Sequence, residues 1–251
     1  MASVLLTILL LMTIQYSNAS SCSRQNVEPE CDDNDMDCGI LPENFPMITG
    51  GYEAKEKRPW YVALTTDGKK WPQCAGALIN QHNVLTAAHC FLPGKDEEYW
   101  KTEYQIWVGV YKWEAEAPPS EDAQRVYADQ VILHENYSPF NHNTSEEKVP
   151  INYDIAIIRL TSRARKMPIC LPNKKLPLPP NGVIVGYGYI NKGGAYPENL
   201  MQVNISLYSA ERCKEMDQIM KNYEVKKDLI CALGESGNGY CGDSGGVVEV
   251  N

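Results

Sequence analysis

The pentapeptide Gly242-Asp243-Ser244-Gly245-Gly246 is the most informative stretch of this 251-residue chain. Glycines on both sides of a serine let backbone amides converge near its hydroxyl group, which is the arrangement that an oxyanion-binding site needs. A chance glycine-rich turn would account for Gly245-Gly246 alone, but not for the whole pentapeptide beside two further motifs upstream. The stretch therefore predicts that Ser244 is a nucleophile.

Two upstream motifs supply a histidine and an acid. Leu85-Thr86-Ala87-Ala88-His89-Cys90 places small residues before a histidine, and Asp154 opens the otherwise apolar run Ile155–Leu160. A lone histidine is more often structural, and an acid at the start of a strand is often simply solvated. With a serine, however, the two form a set in which a buried carboxylate orients the histidine and the histidine takes the serine proton. The separations of 65 and 90 residues along the chain require a fold that brings distant loops together.

The composition is that of a globular protein, with 43% hydrophobic and 22% charged residues, which excludes disorder and fibrous repeats. The 23 basic and 32 acidic residues give a net charge of −9. Because no basic patch interleaved with aromatic residues is present, a nucleic-acid partner is not expected. Nine cysteines indicate disulfides and an oxidising compartment, and the odd number leaves at least one thiol without a partner in the chain.

The N-terminal residues predict secretion. The uncharged apolar run Val4–Ile14 is too short to span a bilayer but has the length of a signal-peptide core. Ser17-Asn18-Ala19 places cleavage after Ala19, so residues 1–19 are assigned to a signal peptide; the alternative is a buried N-terminal helix. No later stretch reaches the roughly twenty apolar residues of a membrane span, so no membrane association is expected. Candidate glycosylation sites are Asn136, Asn143 and Asn204, the first weakened by Pro139.

Residues 20–47 differ in composition from the rest of the chain. Six acidic residues lie between Glu28 and Asp37, and prolines occur at positions 29, 42 and 46. This composition predicts an extended, solvated segment. The spacing of the acids matches no calcium-binding loop, so no metal site is predicted here.

From Ile48 onward, short β-branched and aromatic runs alternate with turn residues, a pattern typical of an all-β barrel or sandwich. One helix is predicted, with Ser209 as its N-cap, Glu211 in its first turn and an apolar face formed by Met216, Ile219 and Met220. Strands are predicted over Tyr61–Thr65, Ala77–Ile79, Tyr104–Val110, Gln130–His134, Ile155–Leu160 and Gly182–Val185.

In these contexts, the order His, Asp, Ser resembles that of the trypsin/chymotrypsin-like serine peptidases. The resemblance covers residues 38–251 and implies two six-stranded antiparallel β-barrels with the active site between them. It also implies a domain organisation of signal peptide, pro-segment over residues 20–47 and peptidase domain over residues 48–251. Further matching stretches are Ile48-Thr49-Gly50-Gly51, Pro59-Trp60, Val131–Tyr137, Pro168–Pro172 and Gly186-Tyr187-Gly188.

The resemblance implies a role for each matching residue of the site. Ser244 would attack a peptide carbonyl, and His89 would act first as base and then as acid. Asp154 would orient His89, and the amides of Gly242 and Ser244 would hold the oxyanion. No cofactor and no metal are implied.

The resemblance also implies zymogen activation and a set of disulfides. The amine of Ile48, freed by cleavage, would pair with Asp243, and the pro-segment would stay attached through a disulfide. The implied pairs are Cys74–Cys90, Cys213–Cys231 and Cys38–Cys170, with Cys22–Cys31 as the remaining pair and Cys241 unpaired within the chain.

The sequence departs from the family pattern at its end and at its activation bond. The chain stops seven residues after Ser244, where the family continues, so the second barrel is expected to be truncated at the C-terminus. Met47 precedes Ile48 where the family usually has arginine or lysine, which excludes trypsin-type activation at this bond. A further disulfide of the second barrel is missing at both ends, since Gly182 and Val250 occupy its positions.

The specificity pocket also departs from the family. Cys241 abuts Gly242 without the usual intervening residue, which places Asn238 or Gly239 at the pocket base. Because neither residue is acidic, a preference for lysine or arginine substrates is not predicted.

The sequence therefore predicts a secreted serine endopeptidase made as a zymogen, with protein or peptide substrates and with protease inhibitors as partners. Two alternatives stay open. One is a catalytically silent homologue that acts as a binding or regulatory protein. It is favoured by Met47 and by the expected truncation, which would remove one wall of the specificity pocket. The other is an incomplete product of a protease gene.

Overall fold

The structure is a computed structural model. It describes residues 12–14, 38–39, 52–54, 57–67, 69–91, 95–114, 119, 122–137, 153–172, 177–188, 196–216, 230–234 and 244–250. The residues of interest that lie outside these ranges are Cys22, Cys31, Met47, Ile48, Asn143, Asn238, Gly239, Cys241, Gly242 and Asp243.

β-Strands make up most of the regular secondary structure in the described residues. The strands are β1 (Met12–Ile14), β2 (Tyr52–Glu53), β3 (Tyr61–Thr66), β4 (Cys74–Asn80), β5 (Asn83–Thr86), β6 (Tyr104–Val108), β7 (Gln124–Val126), β8 (Ala128–Leu133), β9 (Ala156–Leu160), β10 (Asn181–Gly186), β11 (Met201–Ser209), β12 (Ile230–Gly234) and β13 (Val248–Val250). The helices are α1 (Glu97–Glu103), α2 (Ala210–Met216) and a 3₁₀ turn (Ala88–Cys90).

The first sheet closes into a barrel. Its strands follow the order β7-β6-β3-β4-β5-β9-β8, and every neighbouring pair is antiparallel. Strands β7 and β8 lie at opposite ends of this order, yet Tyr127 alone separates them in the chain. The chain therefore joins the two ends of the sheet at Tyr127. Counted as two halves of one bent strand, β7 and β8 complete the six-stranded barrel that the family resemblance implies.

Strand β3 shows how the barrel contacts the second sheet. Tyr61–Thr65 are all buried, although successive residues of a strand point to opposite faces. Val62 and Leu64 belong to the core inside the barrel. Tyr61 and Ala63 belong to a second cluster, which includes Val185 of β10 and the residues Tyr187 and Leu200 that adjoin β10 and β11 of the second sheet. The strand is buried on both faces because the two sheets pack against each other along it.

The second sheet has the order β1-β13-β10-β11-β12, with β2 also pairing with β11. Its pairs are antiparallel except that β1 runs parallel to β13, with Met12 opposite Val248. The parallel pair differs from the all-antiparallel arrangement that the sequence predicts. Strand β1 lies within the predicted signal peptide, so the predicted cleavage would remove this neighbour of β13.

Gly182 and Val250, at the two positions of the missing family disulfide, lie side by side. A Cβ atom at position 182 would lie 3.2 Å from Cγ1 of Val250 and 2.7 Å from Cγ1 of Val248. The valines occupy the space beside Gly182, so apolar packing takes the place of the disulfide.

The two helices differ in how well the sequence predicted them. Helix α2 begins where expected, and the Arg212 amide donates to the Ser209 hydroxyl oxygen at 3.4 Å. The predicted continuation at Ile219 and Met220 lies outside the described residues. Helix α1 was missed, although Asp96 is an N-cap residue that accepts a hydrogen bond from the Tyr99 amide at 2.9 Å. Neither helix of the described chain has the length or composition of a bilayer-spanning segment.

Three disulfides lie among the described residues, and they join three of the pairs that the family resemblance implies. Cys38–Cys170 has a sequence separation of 132 residues and joins the predicted pro-segment to the predicted peptidase domain. Next to it, the Gly39 amide donates to the Pro168 carbonyl oxygen at 2.9 Å. Cys74–Cys90 and Cys213–Cys231 are the other two bonds.

Candidate active site

The side chain of Asp154 holds His89 at two points. Its Oδ2 atom lies 2.6 Å from Nδ1 of the imidazole, and its Oδ1 atom accepts the His89 backbone N–H at 2.7 Å. Asp154 is 8% exposed, so its charge depends on these hydrogen bonds. With Nδ1–H donated to the carboxylate, a neutral His89 has its free lone pair on Nε2, as a general base requires.

The pairing of two strands of the first barrel brings His89 and Asp154 together. Strands β5 and β9 are antiparallel, with Thr86 opposite Ala156. The 3₁₀ turn with His89 follows β5, and Asp154 precedes β9 by two residues. Because the end of one strand lies beside the start of the other, residues 65 positions apart meet at one end of the barrel.

The backbone of Ser244 lies against the same end of the barrel. Its carbonyl oxygen accepts the amide of Ala75, in β4, at 2.7 Å. The same oxygen lies 3.7 Å from Sγ of Cys90. That sulfur is in a disulfide and has no proton to donate, so this is a packing contact. Ser244 itself is exposed.

Gly245 makes the close approach of this segment possible. It has a φ of +81°, and a Cβ atom there would lie 2.5 Å from both the Ala75 carbonyl oxygen and the Thr86 hydroxyl oxygen. Thr86 in turn donates to the Ala75 carbonyl at 2.7 Å. Glycine is required at this position by both its backbone angle and the space available.

The Cys74–Cys90 disulfide braces the two sides of the site. Cys74 adjoins Ala75, which binds the Ser244 carbonyl, and Cys90 adjoins His89. The Tyr104 hydroxyl also donates to the Cys90 carbonyl. In the described part of the chain, Cys74, His89 and Cys90 form the one cluster with possible metal ligands within 4.8 Å of each other. Both sulfurs are used in the disulfide, so the oxidised protein offers no thiolate to zinc there.

Asp154 affects the pKa of the neighbouring Tyr137 side chain. The pKa of Tyr137 is raised, mainly by burial and also by the negative charge of Asp154. The phenol therefore stays neutral beside the carboxylate across the physiological range.

The backbone just before Asp154 has a feature that the sequence did not indicate. Tyr153 has a φ of +51°, which is unusual for a bulky residue. Its ring stacks on that of His134, with centroids 4.5 Å apart and an interplanar angle of 8°. The Tyr153 carbonyl also accepts the Ile155 amide at 2.8 Å. Strain of this kind persists where the surrounding contacts fix the backbone.

The remaining predicted residues are only partly placed. The oxyanion residue Gly242, the activation pair Ile48 and Asp243, and the pocket base at Asn238 or Gly239 lie outside the described residues and stay predictions. Of the glycosylation candidates, Asn136 is exposed in a turn after β8, and Asn204 is half-buried within β11.

Comparison with known proteins gives the class of protein. The family model described as Trypsin matches residues 48–249, so the chain belongs to the trypsin family of serine peptidases. The fold is also that of mouse neuropsin, described as a serine protease expressed in the limbic system, at a TM-score of 0.60 and 25% identity over 80% of this chain and 82% of neuropsin.

Three relatives are between 26% and 30% identical to the chain. The chain is 30% identical to the venom peptide isomerase heavy chain of Agelenopsis aperta, over 79% of this chain and 81% of the relative. It is 26% identical to U21-ctenitoxin-Pn1a of Phoneutria nigriventer, over 80% of this chain and 81% of that relative. It is 30% identical to mouse mannan-binding lectin serine protease 1, over 83% of this chain and 30% of that longer protein.

Proposed function

We propose that the protein is a secreted serine endopeptidase made as a zymogen. The observation that carries the proposal is the double hydrogen bond from His89 to Asp154, next to the docked Ser244 segment. Secretion is supported by the predicted signal peptide and the disulfides. Zymogen activation is supported by Cys38–Cys170, which would keep the pro-segment attached after cleavage before Ile48.

The proposed reaction is acyl transfer in two halves. Nε2 of His89 takes the Ser244 hydroxyl proton as Oγ attacks the peptide carbonyl carbon. The amides of Gly242 and Ser244 stabilise the resulting oxyanion, and Asp154 stabilises the imidazolium. The imidazolium then protonates the departing amine, leaving an acyl ester on Ser244. Water repeats the sequence, with His89 as its base, and releases the acid.

Fluorophosphonate labelling tests the proposal. Residues 43–47 are replaced by the recognition sequence of a specific endopeptidase, and the secreted protein is labelled before and after cleavage ahead of Ile48. We expect labelling on Ser244 that rises after cleavage and hydrolysis of a peptide library, both absent in Ser244→Ala. A cleaved, folded protein that neither labels nor hydrolyses peptides would contradict the proposal.

The second candidate is a catalytically silent homologue that binds a partner. Met47 favours it, because arginine or lysine usually precedes the activation bond in this family. The same cleavage experiment separates the two candidates. A silent homologue would stay unlabelled even with the new amine at Ile48, whereas a peptidase with an unusual activating enzyme would gain labelling.

A further inference from the structure

A buried ion pair lies outside the catalytic residues. Arg58 and Glu249 are 6% and 7% exposed, and Nε of Arg58 donates to Oε2 of Glu249 at 2.7 Å. The other carboxylate oxygen, Oε1, accepts the indole N–H of the fully buried Trp60 at 2.8 Å. The other arginine and lysine ion pairs in the described ranges have side chains at least 31% exposed.

These hydrogen bonds connect the two sheets. Arg58 and Trp60 lie in the turn that leads into β3 of the first barrel, and the Trp60 carbonyl accepts the Leu78 amide at 2.9 Å. Glu249 is the middle residue of β13 in the second sheet. Arg58 also reaches the second sheet at β11, where its terminal nitrogen lies 3.5 Å from Oε1 of Gln202.

The same segment of chain carries Ser244 and Glu249. At its start, the Ser244 carbonyl accepts the Ala75 amide of the first barrel. At its end, the Glu249 carboxylate accepts the donors of Arg58 and Trp60. Its pairing within the second sheet to β10 is short, since only Val248 and Glu249 have partners there. The first barrel therefore holds the segment at both ends.

The buried charge of Glu249 can control the register in which β13 pairs. Glu249 lies between the buried residues Val248 and Val250, where an apolar side chain would avoid the desolvation of a carboxylate. A slip of one residue would turn Glu249 to the opposite face of the strand. The Glu249 carboxylate would then lose its hydrogen bonds to Arg58 and Trp60, which is strongly unfavourable. The ion pair thus penalises every register but one.

We propose that Arg58, Trp60 and Glu249 form a positioning device that fixes the register of β13 and thereby holds Ser244 against the end of the first barrel that carries His89. Its effect on catalysis rests on the proposed function, but its effect on the segment does not. The device acts through the backbone, and none of the three residues is assigned to the chemistry.

The test uses a double substitution that removes the hydrogen bonds but spares the fold. Arg58→Met alone would leave the buried Glu249 charge without its ion-pair partner and risks unfolding, whereas Arg58→Met with Glu249→Leu replaces the pair with apolar side chains of similar volume. The matched control is Arg212→Met with Glu215→Leu, which makes the same change in an exposed ion pair of α2.

Two quantities are measured in the full secreted chain: hydrogen exchange of the Ala75 amide, and the rate of fluorophosphonate labelling of Ser244 after cleavage. We expect the double variant to fold, with Ala75 exchange faster by about tenfold or more because its bond to Ser244 is loosened. We expect labelling to slow by about 10²-fold, the effect of a misplacement of roughly 1 Å. The control should change neither quantity.

A rescue variant shows whether the change in Ala75 exchange comes from the lost hydrogen bonds of Glu249 or from altered side-chain packing. Arg58→Met with Glu249→Gln restores an acceptor for the Trp60 indole and should recover part of the Ala75 protection. A double variant with Leu at 249 that keeps wild-type Ala75 exchange would overturn the proposal. If the wild-type protein is never labelled, the proposed peptidase function fails, and Ala75 exchange alone still decides whether the device exists.

Discussion

Gly245 lies so close to Thr86 that a Cβ atom at position 245 would be 2.5 Å from the Thr86 hydroxyl oxygen. Thr86 ends the strand that leads to His89, and Gly245 follows Ser244. The contact between these two residues therefore sets how near the serine segment can come to the histidine turn.

Gly245→Ala should separate the two halves of the site. The left-handed φ costs a non-glycine residue about 1–2 kcal/mol, and the contact with the Ala75 carbonyl adds to it because backbone cannot move aside easily. We expect the free energy of unfolding to fall by at least about 2 kcal/mol in urea titrations, with loss of labelling. Ser244→Ala is the control, which should lose labelling without loss of stability. Equal stability of the two variants would contradict the close contact.

Asp154→Asn should leave the fold intact but reverse the imidazole tautomer. The asparagine oxygen can still accept the His89 backbone N–H, so its amide group then faces Nδ1 and donates to it. The ring proton moves to Nε2, which can no longer act as a base. We expect kcat on a peptide substrate to fall by about 10⁴-fold. Asp129→Asn, which affects an exposed pair with Arg159, is the control and should keep kcat near wild type.

The two shorter disulfides should have similar stability effects but different effects on the site. They close separations of 16 and 18 residues, so removing either by paired alanine substitution should cost about 3 kcal/mol in the free energy of unfolding. Cys74→Ala with Cys90→Ala should also slow Ser244 labelling, because these residues adjoin Ala75 and His89. Cys213→Ala with Cys231→Ala should not. Similar labelling rates in the two variants would show that the Cys74–Cys90 bond does not brace the site.

Tyr187→Phe should stabilise the protein. Tyr187 is 2% exposed, and its hydroxyl has no hydrogen-bond partner among the described residues. Removing an unsatisfied buried hydroxyl should raise the free energy of unfolding by about 1 kcal/mol at pH 7. A decrease on substitution would mean that the hydroxyl has a partner.

The same substitution should change the response to alkaline pH. Burial raises the pKa of Tyr187 above its usual value of about 10, so the unfolded chain loses this proton first. Below pH 10 the phenol is protonated in both states, so it adds no pH dependence to the free energy of unfolding. Above pH 10 it ionises in the unfolded chain only, so the free energy of unfolding falls as pH rises. Tyr187→Phe should therefore reduce the loss of stability between pH 9 and 11 in urea titrations, whereas Tyr127→Phe, at a 54% exposed residue, should not.

Two strands of the first barrel were predicted almost completely because their apolar runs are regular, whereas the prediction over Ala77–Ile79 covers three of the seven residues of β4. The prediction over Ile155–Leu160 differs from β9 by one residue, and that over Tyr61–Thr65 differs from β3 by one. Short strands such as β7 were missed, since three residues give no clear period. Helix α1 was missed because none of its residues is buried, which leaves no apolar stripe to detect.

The sequence by itself determined the residue types of the site, the three disulfide pairs of the described residues and the all-β class, because these follow from local motifs and from a family pattern. Only the tertiary structure showed that β5 and β9 bring His89 to Asp154, that Gly245 lies against Thr86, and that Arg58 pairs with Glu249 across the two sheets. The physical reason is that a charge in a strand, such as Glu249 between two valines, is costly or useful according to its partner. That partner is 191 residues away in the chain, and only the folded arrangement brings it near.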